Sequence, residues 1–207
     1  MSAPGWSAVV VFKGRGSSKT RLELASRSAL AEAFLLDTLA AVRAADEVSS
    51  ILLVTSDVDA ADRARELDPH LIVVRDPGGL NPAVTAGVAA ALDLRSDAPV
   101  VALTADLPAL ASADLDRALR LARPALPAVV ADRSGTGTTA LLVAHDSPAE
   151  ASFGPDSFAR HRASGCRPLE LPHVSTLRLD VDTVDDLRDA EAAGVGRHTA
   201  RELDAAA

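Results

Sequence analysis

The stretch Ala8-Val-Val-Val-Phe12, followed directly by Lys13-Gly-Arg-Gly-Ser-Ser-Lys-Thr-Arg-Leu22, is the part of the sequence that decides the fold class. The apolar, β-branched run predicts a buried strand, and the glycine-containing basic segment predicts a loop at its carboxyl end. Glycine lets the backbone approach an anion closely, and backbone N–H groups together with cations bind phosphate. The sequence therefore predicts a phosphate-binding loop in an α/β protein, with a basic surface turn as the alternative.

The distribution of lysine supports the phosphate-binding interpretation. Of 21 basic residues only Lys13 and Lys19 are lysines, and both lie in this loop. A lysine ammonium is a compact charge on a flexible stem, which suits a phosphate that moves during a reaction. The loop residues expected to approach or contact the phosphates are Gly14, Gly16, Ser17, Ser18, Lys19 and Arg21.

Two common phosphate-loop patterns do not fit. A Walker loop needs glycine directly before its Lys-Thr pair, but Ser18 precedes Lys19-Thr20. A dinucleotide fingerprint needs a third glycine where Lys19 stands and an acidic residue at the end of the second strand, where Thr55-Ser56 is found. The loop is thus predicted to bind an anion in some other way.

Composition narrows the class of protein. With 207 residues, 48% hydrophobic and 24% charged, the chain is predicted to be one globular domain with its core in about 7–195 and a frayed tail from Arg197. A net charge of −8 argues against binding to nucleic acid or an anionic membrane. Cys166 is the one cysteine, so there is no internal disulfide. No apolar run is long enough for a transmembrane helix and no leader is visible, so the protein is expected to be soluble and cytoplasmic.

Strands and helices are expected to alternate at the spacing of a mostly parallel sheet. Apolar residues at helical spacing predict a helix over Arg27 to Ala45. Asn81-Pro82 is predicted to start another helix, as cap and first helical position. Leu177-Arg-Leu179 is expected to be extended. Together these patterns indicate a single α/β domain.

Acidic residues follow two of the predicted strands. Asp106 ends the strand Val100–Leu103, and Asp180 and Asp182 come directly after Leu177–Leu179. Ligands bind beyond the carboxyl ends of parallel strands, and residues two apart in extended chain share a face. The three carboxylates are therefore candidate magnesium ligands beside a bound triphosphate. The alternative is that Asp106 caps a helix and the other two are solvated turn residues.

Two further segments are rich in glycine and hydroxyl groups, namely Gly135-Thr-Gly-Thr-Thr139 and Phe153-Gly-Pro-Asp-Ser157. Because one of them is predicted to open a helix, the pair suggests a second anion site for an acceptor that carries phosphate or carboxylate. Each segment by itself also fits an ordinary turn.

These motifs resemble the guanylyltransferases of coenzyme F-420 biosynthesis, which act on phosphoenolpyruvate or 2-phospho-L-lactate. The resemblance covers nearly the whole chain, in the family's order. It rests on Lys13 with Lys19-Thr-Arg-Leu22, Ala105-Asp-Leu-Pro108, Asp132-Arg-Ser-Gly-Thr-Gly-Thr-Thr-Ala-Leu141, Phe153-Gly-x-x-Ser157 and Leu179-Asp-Val-Asp-Thr-Val-Asp-Asp-Leu187.

The resemblance implies a fold, a reaction and site residues. The fold would be a Rossmann-like, GT-A type α/β/α nucleotidyltransferase sandwich, and the reaction a magnesium-dependent transfer of GMP from GTP. By resemblance the acceptor would contact Thr139, Gly154 and Ser157. The metal would be held by Asp106, Asp180 and Asp182.

For the nucleotide, the resemblance implies that the first loop holds the GTP phosphates, with Lys13, Lys19, Arg21 and Asp106 as the catalytic set. The segment containing Gly79 and Asn81 is the expected guanine site. Phosphoenolpyruvate is the preferred acceptor, and a functional partner is expected in the next enzyme, which transfers the product onto a deazaflavin. Asp156 departs from the family's pattern, because it sets a carboxylate beside the expected acceptor site.

Other functions remain open from the sequence alone. A sugar-phosphate or molybdopterin acceptor would use the same nucleotide chemistry. A non-catalytic nucleotide sensor would bind GTP without releasing pyrophosphate, and a P-loop hydrolase would release phosphate.

Overall fold

The computed structural model of the chain describes residues 5–14 and 21–206, with the backbone alone for residues 21–27 and 206. Within these residues, seven strands form one sheet in the order β3-β2-β1-β4-β6-β5-β7. Their bounds are β1 Trp6–Val11, β2 Val48–Thr55, β3 Ile72–Arg75, β4 Val100–Thr104, β5 Ala128–Ala131, β6 Thr138–Val143 and β7 Arg167–Pro168.

Seven α-helices connect or flank these strands within the described residues. They are α1 Arg21–Arg43, α2 Val58–Leu67, α3 Leu80–Leu94, α4 Ser112–Ala122, α5 Ser157–Ala163, α6 Val184–Ala193 and α7 Arg197–Ala206. None of the helices in this part of the chain has the length and apolar character needed to cross a membrane.

The sheet is mostly parallel, which confirms the predicted fold class. β1 pairs in parallel with β2 and β4, and β2 with β3. β6 is antiparallel to both of its neighbours, β4 and β5. Because β6 runs the opposite way, its first residues lie at the sheet edge where β1 and β4 end.

Helices cover both faces of the sheet, which makes three layers. Alternate residues of β1 enter opposite cores: Ala8 and Val10 pack with α1, α2 and α4, whereas Val9 and Val11 pack with α3. Helix α3 lies unusually close to the sheet at Gly87. A Cβ atom there would stand 2.4 Å from Val9 Cγ1, so only glycine permits this approach.

The C-terminal segment differs from the expected frayed tail. It forms α7, which packs on α1, and Thr199 is fully buried. Asp37 of α1 accepts hydrogen bonds from the N–H groups of His198 (3.0 Å) and Thr199 (2.8 Å). Because this cap comes from a residue remote in sequence, local patterns around Arg197 gave no signal of it.

Three local expectations also differ. Helix α1 begins at Arg21 rather than Arg27. Gly79 is the residue before α3, so Asn81 lies inside its first turn instead of capping it. Thr176–Arg178 is a 3₁₀ helix where an extended strand was predicted.

Candidate active site

The candidate site lies at the edge where the parallel strands end. Val11 of β1 is paired with Thr104 of β4, so Lys13 and Asp106 follow neighbouring strands at the same level. Ala140 of β6 is paired with Leu103, which brings Thr139 to this edge from the opposite chain direction. The sheet topology thus gathers segments that are far apart in sequence.

A cavity of about 620 Å³ opens at this edge. Among the described residues, Lys13, Asp106 and Asp182 contribute charged groups to it, and α1 and α6 contribute apolar walls that include Phe34 and Leu187. A volume of this size matches a small-molecule site with a few polar groups on an apolar surface.

Of the three aspartates predicted to be metal ligands, Asp106 and Asp182 line this cavity, whereas Asp180 is not one of its lining residues in the described part of the chain. The N–H of Val181 donates a 3.0 Å hydrogen bond to the carbonyl oxygen of Asp106, which brings Asp180 and Asp182 to either side of this contact along the chain. Asp106 Oδ1 is buried without a hydrogen-bond partner in the described part of the chain. An unpaired buried carboxylate oxygen is costly, and such groups mark functional sites.

Burial and mutual repulsion perturb these carboxyls. Burial is the largest cause of the raised pKa of Asp106, and the charge of Asp182 adds to it. Burial, and then the charges of Asp106, Asp132 and Asp182, raise the pKa of Asp180 to about 7. Uncompensated negative charge of this kind favours a cation at the site.

The fit to a divalent cation follows from the chemistry of the donors. Within residues 5–14 and 21–206, no three His, Cys, Asp or Glu side chains already surround one point as a metal cage would require. Magnesium commonly takes one or two carboxylates and completes its shell with water and substrate phosphate. The unpaired Oδ1 of Asp106 and the raised carboxyl pKa values fit that mode of binding.

Lys13 is held by the turn that follows β3. Its Nζ forms an ion pair with Asp76 and donates a 3.2 Å hydrogen bond to the carbonyl oxygen of Gly79. Burial tends to raise the pKa of Asp76, but the hydrogen bonds from Lys13 and from the Gly78 N–H, with the lysine charge, lower it overall. Asp76 was missed from the sequence because nothing local links it to a lysine 63 residues earlier.

Most of the predicted phosphate loop lies outside the described residues. This applies to Gly16, Ser17, Ser18 and Lys19, and to the side chain of Arg21. Gly14 is described and has a φ of +76°, a conformation that favours glycine.

The residues expected to contact the acceptor lie on β6 and around the start of α5. Thr139 is fully buried, and its Oγ1 has no hydrogen-bond partner among the described residues. Gly154 has a φ of +112°, and its carbonyl oxygen accepts from the N–H of Ser157. The Phe158 N–H donates to the Thr136 carbonyl oxygen, which joins α5 to the β5–β6 loop.

Asp156, whose carboxylate was expected to disturb this region, has a φ of +55° in the left-handed region. It is exposed, next to the buried Ser157. The two neighbouring side chains therefore occupy very different environments.

Asn81, expected near guanine, hydrogen-bonds the backbone of Phe153. Its amide oxygen accepts from the Phe153 N–H at 2.6 Å, and its amide nitrogen donates to the Phe153 carbonyl oxygen at 3.2 Å. The side chain thus connects the first turn of α3 to the segment before Gly154. Its role toward guanine stays a prediction.

The three-layer fold, with the candidate site at its strand ends, is similar to that of solved structures of the nucleotide-diphospho-sugar transferase type. A solved structure from Desulfovibrio desulfuricans G20, assigned as a nucleotide-diphospho-sugar transferase, aligns with a TM-score of 0.70 and 21% identity over 97% of this chain and 96% of that one. A 4-diphosphocytidyl-2C-methyl-D-erythritol synthase aligns with a TM-score of 0.62 and 16% identity, over 93% and 99% of the two chains. At these identities the likeness shows the fold.

Sequence comparison then identifies the family: residues 6–204 match the model described as guanylyl transferase CofC like, and the chain belongs to this family. Phosphoenolpyruvate guanylyltransferase of Streptomyces coelicolor is 42% identical over 199 residues, which cover 94% of each chain. The protein of the same name from Streptomyces scabiei is 44% identical over 204 residues, again 94% of each.

Proposed function

We propose that this chain transfers GMP from GTP to phosphoenolpyruvate, giving enolpyruvyl-2-diphospho-5′-guanosine and pyrophosphate. The observation that carries the proposal is the meeting of Lys13, Asp106 and Asp182 in one cavity at the strand ends of a guanylyl transferase fold. Relatives more than 40% identical over 94% of the chain bear the name of this activity. Coenzyme F-420 biosynthesis is the corresponding pathway.

The proposed reaction needs no general base. A phosphate oxygen of phosphoenolpyruvate, already ionised, forms a bond to the α-phosphorus of GTP. The bond from that phosphorus to the bridging oxygen of the β-phosphate breaks, and the electron pair leaves with pyrophosphate. Catalysis then consists of aligning two anions and stabilising the charge that develops on the leaving group.

Basic side chains are assigned to the leaving group. Lys13, Lys19 and Arg21 neutralise the departing pyrophosphate, and Gly14, Gly16, Ser17 and Ser18 supply the rest of the phosphate loop. Lys13 lines the cavity and is paired with Asp76, which orients its ammonium group.

Magnesium is part of the proposal. Asp106, Asp180 and Asp182 would hold it, and its positive charge would offset the burial and the repulsion that together raise the pKa of Asp180 to about 7. When bound, the ion supplies positive charge to the phosphates of the nucleotide.

The acceptor and base sites are assigned on different elements. Thr139, Gly154 and Ser157 bind the acid, and the unpartnered Oγ1 of Thr139 supports a polar ligand there. Gly79 and Asn81 border guanine. By resemblance the reaction belongs in the cytoplasm, where the next enzyme transfers the product onto a deazaflavin.

Pyrophosphate release tests the proposal. The protein is incubated with GTP and magnesium together with phosphoenolpyruvate, 2-phospho-L-lactate or 3-phosphoglycerate. We expect release that depends on phosphoenolpyruvate, with the first two acids distinguished by kcat/KM. Release of phosphate, or release of pyrophosphate that does not depend on any added acid, would contradict the proposal. A higher kcat/KM for 2-phospho-L-lactate would make that acid the acceptor in place of phosphoenolpyruvate.

A further inference from the structure

The segment Ser152–Pro155, named here the acceptor loop, is held from two sides by side chains. Asn81 of α3 bonds both backbone groups of Phe153, as described above. From α5, Arg160 donates to the carbonyl oxygens of Ser152 (2.7 Å) and Phe153 (3.2 Å), and also to that of Pro155.

His161 supplies a further contact to this loop. Its Nε2 lies 3.0 Å from the backbone nitrogen of Ser152, and its Nδ1 lies 3.1 Å from Thr138 Oγ1. The residue is fully buried, and its ring meets that of Phe153 edge-on at 5.2 Å. One imidazole therefore joins the start of β6 to the acceptor loop.

The Ser152 contact determines the tautomer of the ring. A backbone N–H can only donate, so Nε2 must accept and carries no proton; the neutral ring then bears its proton on Nδ1. Protonation of Nε2 would set two donors against each other and leave the Ser152 N–H without its acceptor. The hydrogen bond thus requires a neutral ring.

We propose that His161 is a positioning residue: as the neutral Nδ1–H tautomer it fixes Ser152 and thereby sets the backbone at Gly154 for the acidic acceptor. Gly154 is exposed, and its N–H donates to no backbone carbonyl among the described residues, so it can donate to a carboxylate or phosphate. This inference rests on the proposed function, because it assumes that Gly154 contacts the acceptor.

The surroundings of the ring agree with a neutral state. Burial is the main cause of the lowered pKa of His161, and the charge of Arg160 lowers it further. A hydrogen bond with the Ser157 backbone acts in the opposite direction and raises the pKa, but by less. Thr138 on β6 and Ser152 and Phe153 on the loop face the ring and carry no charge. In the segment after α5, the Cys166 N–H donates a hydrogen bond to the His161 carbonyl oxygen. Burial raises the pKa of the Cys166 thiol, so this side chain stays neutral.

Two variants test the role. His161→Leu removes the acceptor, whereas His161→Gln offers an amide oxygen that accepts and does not protonate. We expect His161→Leu to raise the KM for phosphoenolpyruvate about 10-fold or more, which is about 1.4 kcal/mol, with the KM for GTP changed less than 3-fold. His161→Gln should recover most of this loss. His145→Leu, at an exposed histidine, is the control and should leave both KM values unchanged.

The same measurements can overturn the inference. Equal increases in both KM values, or a Gln variant as impaired as the Leu variant, would refute it. Should His161→Leu not fold, the phosphoenolpyruvate KM values of wild type and His161→Gln decide, compared from pH 7.5 down to the lowest pH at which both proteins stay folded. A wild-type KM that rises relative to that of His161→Gln as the pH falls supports the role, and a ratio that is constant over this whole range refutes it.

A spectroscopic readout separates this inference from the proposed function. Imidazole ¹⁵N shifts of the whole protein, assigned with His161→Gln, should identify an Nδ1–H ring at pH 7.5, and an Nε2–H ring would refute the inference. If the wild type releases no pyrophosphate with phosphoenolpyruvate, the proposed function fails, and the ¹⁵N experiment still tests the hydrogen bond.

Discussion

The backbone N–H of Val181 donates a hydrogen bond to the carbonyl oxygen of Asp106 at 3.0 Å. The two residues are remote in sequence, and this one bond aligns the end of β4 with the segment that precedes α6. It brings Asp180 and Asp182 close enough to Asp106 for their charges to act on one another. The acidic part of the site is thus assembled by backbone geometry.

Asp106→Asn is expected to abolish activity without loss of stability. Removing a buried carboxylate that has no partner at Oδ1 also removes repulsion, so the melting temperature should stay the same or rise. Pyrophosphate release should fall at least about 100-fold, since charge stabilisation at the reacting phosphate is lost. Steady-state kinetics and thermal unfolding check both expectations.

Magnesium provides the second readout for Asp106. A cation that binds only the folded state raises its stability, by about 2.7 kcal/mol at 100 times the Kd. We therefore expect magnesium to raise the melting temperature of the wild type, EDTA to reverse the rise, and Asp106→Asn to be insensitive. Asp146→Asn, at an exposed position, is the control and should respond to magnesium as the wild type does. If Asp106→Asn retained wild-type turnover, Asp106 would have no part in the mechanism.

Asp76→Asn should weaken the use of GTP by releasing Lys13. The Asp76 side chain is 8% exposed and Lys13 is 38% exposed, so the carboxylate is the fixed member of the pair and orients the ammonium. We expect kcat/KM for GTP to fall about 3- to 10-fold in Asp76→Asn and further in Lys13→Ala. Asp62→Asn on the exposed face of α2 should have no effect, and an Asp76→Asn enzyme equal to wild type would show that the ion pair does not orient Lys13.

Asp37→Ala should destabilise the protein by about 1–2 kcal/mol, the usual cost of losing a helix cap. Its carboxylate accepts from the first N–H groups of α7, and Gly196 lies so near that a Cβ atom there would be 2.3 Å from Asp37 Cγ. Urea unfolding measures the change, with Asp204→Asn at the exposed end of α7 as the control. No loss of stability would mean that α7 adds little to the fold.

His161 should make the free energy of unfolding depend on pH. Its folded pKa lies below the ordinary value of 6.5, so between the two values the unfolded chain binds more protons. Stability is therefore complete above about pH 6.5 and decreases as pH falls through the folded pKa. Urea unfolding from pH 7.5 to 5.0 should show a smaller decrease in His161→Gln, and identical pH profiles would contradict the lowered pKa.

The fold was largely predictable because its signals are local. Alternation of apolar strands with amphipathic helices depends on neighbours in sequence, and a basic loop after β1 follows from Ala8–Phe12 ending in Lys13 and Gly14. Boundaries were less reliable: a 3₁₀ helix at Thr176–Arg178 replaced the extended segment expected before Asp180. Three residues of mixed apolar and basic character do not distinguish these two conformations.

Contacts between distant segments were not predictable from such patterns. The Lys13–Asp76 pair, the Asn81–Phe153 hydrogen bonds and the His161–Ser152 hydrogen bond join side chains to groups on other elements or loops. Each depends on how two elements pack, and no periodicity within either element encodes it.

By itself, the sequence determined the layered α/β class and the types of side chain that follow each strand, and it suggested the phosphate-binding loop. These features depend on the order of apolar, glycine and charged residues along the chain. Only the tertiary structure decided which of those residues meet. The antiparallel direction of β6 brings Thr139 to the edge where Asp106 lies, and the Val181–Asp106 hydrogen bond adds Asp180 and Asp182. Sheet order and direction are properties of the whole packed chain, and they assemble the site.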